Sequence, residues 1–166
     1  MTRPLRMHVD LCLSPGELGV YREPLHVKTI LGSCVAVCLW DAAQRIAGLN
    51  HYLLPQPVGG ASADLRFGSV SCRRLIEGMR AAGASPTLLW AAVIGGGAPV
   101  GVDDERSVGA LNVAMALTML DEFGIRVQRQ ETGGTFGRKL LFDTGTGALL
   151  VRNLGNRLRG EQAASA

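Results

Sequence analysis

The sequence predicts an α/β fold, a single domain of layered sheets and helices with mixed, largely antiparallel strand pairing. Three observations lead there. Apolar runs of strand length alternate with two longer segments of helical period, in the order strands, helix, strand, helix, strands. Apolar residues make up 47% of the chain but aromatics only 5%, with 22 glycines, so the core is built from small and aliphatic side chains joined by tight turns. The 166 residues hold no internal repeat and no linker, which gives one domain large enough to bury a sizeable core. That domain is expected over residues 1–152, with residues 153–166, polar and free of aromatics, as a flexible C-terminal tail.

In chain order, Leu11 to Tyr21 holds a Ser14-Pro15-Gly16-Glu17 turn between short apolar pieces. Leu25 to Leu31 is expected to be a strand. Val35 to Trp40 is a continuous apolar run, as in a strand buried on both faces, and Ile46 to Leu54 follows until Pro55 ends it. Ser69 to Ala82 places Val70, Leu75, Ile76 and Met79 at helical spacing with arginines between them, and Gly83 stops it. Leu88 to Ile94 is another buried strand. Arg106 to Phe123 is helical again, closed by Gly124. Ile125 to Arg129, Lys139 to Asp143 and Ala148 to Val151 complete the strands.

Composition narrows the function classes. The net charge of +3 is scattered, with no basic block and no interleaved aromatics, so no nucleic-acid footprint is expected. The apolar residues of the start are interrupted by Asp10 and Pro15 before a signal-peptide core forms. The longest apolar run, Leu88 to Val102, is broken by Gly95, Gly96, Gly97 and Pro99, too short a stretch for membrane insertion. The chain is therefore read as cytoplasmic, its four cysteines reduced, and nothing in it demands more than a monomer. No C-x-x-C pair occurs, which removes the simplest redox and zinc readings. Cys34 and Cys38 lie about 13 Å apart on a strand, beyond sharing a metal ion. The clusters Ile94 to Gly101 and Thr132 to Lys139 match neither phosphate-binding glycine spacing and are read as close backbone turns. Asp103, Asp104 and Glu105 are read as a solvated loop, and His8 and His26 as isolated surface or satisfied core histidines.

One stretch carries chemistry. Cys34 follows a Gly32-Ser33 turn that can leave a thiol at a strand end beside free peptide N–H groups, and His51 lies seventeen residues on. If the two strands form a hairpin with the four-residue loop Asp41 to Gln44, Trp40 pairs with Arg45 and Cys34 falls directly opposite His51, with Cβ atoms roughly 4.5–5.5 Å apart. A five-residue loop puts His51 opposite Val35, on the other face. Cys38, inside the run with no polar neighbour, is read as core filler, and Ser33 is the poorer nucleophile beside Cys34.

The residues "TILGSCVAVCLWD" and "GLNHYLLP", with "SPGEL", Val108-Gly109, Asn112 and "TGGTFGRKLLFDTGTG", resemble the signature of the CheD family of chemoreceptor glutamine deamidases. The resemblance implies a protein-glutamine amidohydrolase that converts glutamines of methyl-accepting chemotaxis receptors to glutamate and releases ammonia, with no cofactor. It implies Cys34 as the catalytic cysteine, His51 as its histidine and Thr29 as a third member, though some relatives carry one more residue between threonine and cysteine. It also implies an α/β sandwich related to bacterial deamidating toxins, and the phosphatase CheC as a partner. A non-catalytic chemotaxis adaptor and another cysteine acyl hydrolase are the rival readings.

Overall fold

The computed structural model describes residues 8–154. The segments 1–7 and 155–166 lie outside the described residues, and most of the expected tail falls there. Nine strands and two helices follow in chain order: β1 (Leu11–Cys12), β2 (Leu18–Tyr21), β3 (His26–Leu31), β4 (Val35–Asp41), β5 (Ile46–Asn50), α1 (Gly68–Ala81), β6 (Trp90–Gly95), α2 (Val108–Glu122), β7 (Val127–Thr132), β8 (Arg138–Asp143) and β9 (Leu149–Asn153). A 3-10 turn, Pro86–Leu88, takes Leu88, the first residue of the strand expected over Leu88 to Ile94, and Asn153 pairs with Arg138 inside β9 instead of opening a tail.

The strands form two sheets, ordered β1-β3-β8-β9 and β2-β5-β4-β6-β7. Pairing is antiparallel except at β1–β3 and β6–β7, in line with the mixed, largely antiparallel expectation. The five-stranded sheet is the middle layer. On one face Val35, Val37, Leu39 and Ile46 pack against Leu75, Ile76 and Met79 of α1 and Ala116 and Leu120 of α2. On the other, Ala36, Cys38, Ala47 and Leu49 pack against Val27, Leu31, Leu140 and Phe142 of the second sheet. Because β4 is covered on both faces, its sequence is continuously apolar rather than alternating.

Both helices end as their glycines foretell. Gly83 and Gly124 take φ of +109° and +68°. The next amides reach back to the last turn, Ala84 N–H to Met79 O and Ile125 N–H to Leu120 O, which satisfies carbonyls that would otherwise be left bare. Helix α1 sits directly on the backbone of Gly48, where a Cβ would meet Met79 Sδ at 2.8 Å and Leu75 Cδ1 at 2.9 Å.

The β4–β5 hairpin differs from both sequence-based registers. Asp41 pairs with Ile46 and Trp40 with Ala47, not with Arg45. Asp41 ends the strand instead of opening the loop because its Oδ1 accepts the Gln44 N–H at 2.9 Å, and Arg45 closes the turn at φ +53°. The shift is two residues. It therefore keeps every side chain on its expected face, but Cys34 is diagonal to His51 and not opposite it.

Candidate functional site

Cys34 closes the Gly32-Ser33-Cys34 turn between β3 and β4, at one end of the space between the sheets. A glycine strap at the end of β6 holds that turn: Gly96 N–H donates to Cys34 O at 2.8 Å and Gly97 N–H to Gly32 O at 2.9 Å. The approach leaves no room for side chains, since a Cβ on Gly95 would lie 2.3 Å from Cys34 O. This is the close backbone turn the sequence suggested for the cluster. The N–H groups of Ser33 and Cys34 donate to no carbonyl among the described residues.

His51 follows β5 at the point where that strand parts from β4. Between the Cys38–Leu49 and Val35–Tyr52 pairs the ladder opens, and Val37 N–H is taken by the Asn50 side-chain oxygen at 2.7 Å. The His51 backbone instead joins the Ser14–Glu17 turn: its N–H donates to Glu17 O at 3.0 Å and its carbonyl accepts from Gly16 N–H at 2.8 Å. This exchange is why β5 stops at Asn50, four residues before the expected end.

Thr29, on β3 of the facing sheet, is buried and points across the layer to His51. Its Oγ1 lies 2.7 Å from His51 Nδ1 and 2.8 Å from Leu13 O. A carbonyl can only accept, so the single hydroxyl proton goes to Leu13, and Nδ1 must donate to Oγ1. That fixes the Nδ1–H tautomer and leaves Nε2 as a bare acceptor. Nε2 is buried and has no hydrogen-bond partner among the described residues, the Cys34 thiol included. Thr29→Val is expected to remove the partner of both Nδ1 and Leu13 O and to lower the turnover rate about 10–100-fold, whereas Thr29→Ser keeps it within a few-fold. Steady-state rates of the two variants check this.

Burial pushes the His51 imidazole down to about 4 from 6.5, partly offset by the Glu17 carboxylate. Burial also pushes the Cys34 thiol up, partly offset by its own N–H. The resting pair is therefore neutral thiol and neutral imidazole. Cys34 is therefore not a preformed thiolate near neutral pH. A linked stability effect follows. Between 6.5 and about 4 the unfolded chain binds a proton at His51 that the folded chain refuses. Stability is therefore full above 6.5, falls by up to about 1.4 kcal/mol per pH unit through that window, and levels off below it. Urea unfolding at pH 7.5 and 4.5 should show a smaller acid loss in His51→Gln than in the parent chain.

The other cysteines differ from Cys34. Cys38 and Cys72 are fully buried and their thiols are pushed far up, Cys72 to about 12, while Cys12 is exposed. His8 and His26 are not isolated. Asp10 lies 3.2 Å from His8 and 3.8 Å from His26, and Asp143 lies 3.5 Å from His26, because β1 and β8 flank β3. Asp103 and Asp104 are exposed and accept backbone N–H groups of Gly134 and Arg106.

Sequence reasoning gave the supports of this site no role, although Ser14 to Leu18 and Asn112 stand among the residues that carry the resemblance. Leu13 O and the backbone of Gly16 and Glu17 act through the main chain, which leaves no side-chain signature. Asn112 did leave one, a lone carboxamide in the apolar run of α2. It is fully buried, and its Nδ2 donates to Ser33 O at 3.0 Å and to Leu53 O at 2.9 Å.

Comparison with known proteins bears on the family of the chain. A family model described as CheD chemotactic sensory transduction matches residues 53–153. A protein of Anaeromyxobacter dehalogenans (strain 2CP-C), named "Probable chemoreceptor glutamine deamidase CheD 1", is 43% identical over 143 residues, covering 86% of this chain and 83% of its own. A second, from Rhodospirillum rubrum and named "Probable chemoreceptor glutamine deamidase CheD", is 42% identical over 144 residues, 86% of this chain and 81% of its own. Among solved structures, YlmD from Geobacillus stearothermophilus aligns with a TM-score of 0.47 at 14% identity, over 70% of this chain and 50% of its own. Among the described residues no helix is long and apolar enough to cross a membrane. With a family model matching most of its length and relatives this similar over more than four fifths of both chains, the chain belongs to the CheD family.

Proposed function

We propose that this protein is a protein-glutamine deamidase that converts selected glutamines of chemoreceptors to glutamate and releases ammonia. The observation that carries the reading is the Leu13–Thr29–His51 chain, which aims every proton away from Nε2 and leaves a bare base on the face that Cys34 shares. The names of the relatives support the substrate class.

Cys34 is the nucleophile, His51 the base and Thr29 the group that orients it. Nε2 takes the thiol proton as Sγ bonds to the side-chain carbonyl carbon of the glutamine. The oxyanion is held by backbone N–H groups, those of Cys34 and Ser33 being unclaimed by carbonyls. The imidazolium then gives its proton to the departing nitrogen, ammonia leaves, and a γ-glutamyl thioester remains. Water attacks the thioester with His51 again as base, which releases glutamate and restores the thiol. A base with its pKa near 4 is a weak proton acceptor but stays neutral throughout the physiological range, which suits slow modification of a scarce protein substrate.

The setting of this activity is the cytoplasm, and CheC is the partner to test. The assay is intact-mass spectrometry of a receptor cytoplasmic fragment, with and without CheC. Each event adds about one dalton, the mass difference between an amide and an acid. A fragment that binds without any mass change would favour a non-catalytic adaptor.

A further inference from the structure

Asn112 stands at an unusual point of the fold. Helix α2 is otherwise apolar toward the sheet, and Asn112 is buried completely within that face. Its single –NH2 group spends both protons on two carbonyls, those of Ser33 and Leu53. Ser33 precedes Cys34, and Leu53 is the second residue after His51. One side chain thus spans the two segments that carry the reacting groups. Among the described residues the backbones of these segments meet at the Val35–Tyr52 pair, with hydrogen bonds of 3.1 and 3.0 Å, after which the β4–β5 ladder opens.

The other end of the carboxamide argues against a purely structural role. Asn112 Oδ1 is buried and has no partner among the described residues. A buried acceptor left bare opposes folding, so a group retained for packing alone would be expected to satisfy both ends. What this position gains is two donors from one rigid plane, which aspartate cannot supply and glutamine would supply one methylene too far.

We propose that Asn112 is a positioning residue for the reaction: its two hydrogen bonds set the Cys34 turn and the His51 segment at the spacing at which the thiol proton can pass to Nε2. Asn112 touches neither substrate nor the moving proton. The inference rests on Cys34 as nucleophile and His51 as base. It does not depend on which amide is hydrolysed.

The test uses thiol chemistry and needs no receptor, so its failure is separate from a failure to deamidate. Alkylation of Cys34 by iodoacetamide at pH 7.5, followed by peptide mass spectrometry to exclude the exposed Cys12, is measured in the full chain, His51→Ala, Asn112→Asp and the double variant. His51→Ala is expected to slow alkylation about tenfold in the parent chain and less than about twofold in Asn112→Asp. Ile76→Val, a core change that removes no hydrogen bond, should retain the full dependence on His51. If His51→Ala slows both backgrounds equally, or leaves the parent rate unchanged, the proposal is overturned. Should Asn112→Asp fail to fold, Asn112→Ser supplies the same comparison, with the dependence on His51 again expected to shrink.

Discussion

Replacing Cys34 by alanine is expected to abolish receptor deamidation, with a fall of at least about 10³-fold, while the protein stays folded. The thiol is half-buried at a turn and contributes little packing, so stability should change by less than about 1 kcal/mol. His51→Ala should cost nearly as much in rate, and the double variant no more than the worse single one, because the proposed nucleophile and base act as one unit. Cys38→Ala is the informative contrast. Cys38 is fully buried in β4, so its loss should cost stability and leave the rate near that of the parent. The mass gain of a receptor fragment, followed over time, gives all four rates. A Cys34→Ala protein that still adds mass would remove this cysteine from the mechanism.

The second large effect is expected at Gly109, which packs on the back of the glycine strap that holds the Cys34 turn. Gly109 is the second residue of α2, and a Cβ there would sit 2.4 Å from both Gly96 O and Gly97 O. Both obstacles are backbone and cannot swing aside. Gly109→Ala must push α2 off the glycine strap, at a cost of about 3 kcal/mol or more, or a melting temperature lower by roughly 6–12 °C. The strap holds Gly32 and Cys34, and α2 carries Asn112, so displacing either one disturbs the site. Turnover should therefore fall more than the loss of folded protein explains. Thermal unfolding combined with activity below the transition separates the two effects, and a variant that melts and turns over like the parent would show the contact to be slack.

The layers of this fold were legible because its elements obey their local rules. The helices carry apolar positions at helical spacing and stop at glycines that take positive φ, and β4 is apolar from Val35 to Trp40 because both faces are covered. The hairpin register was not legible. It is set by Asp41 accepting the Gln44 N–H, an interaction of one side chain that outweighs any counting of loop residues. The face of His51 survived that error only because the shift was even. At the site, Cys34, His51 and Thr29 could be named from residue type and resemblance, and the hydrogen bond between Thr29 and His51 runs between two different sheets. No spacing along the chain encodes such a meeting. The short strands β1 and β2 also escaped, since two and four residues around a Ser-Pro-Gly-Glu turn are too few for a period to show.

The bare Nε2 of His51 also has a thermodynamic consequence. A buried acceptor with no donor costs the folded state about 1–3 kcal/mol, and burial of the imidazole adds an acid sensitivity on top. Selection for stability alone would fill this position with an aliphatic side chain, and a laboratory screen for heat resistance would find that exchange early. On the proposed mechanism the histidine marks a place where robustness is surrendered for reactivity, and the most heat-resistant form of this domain would be an inert one.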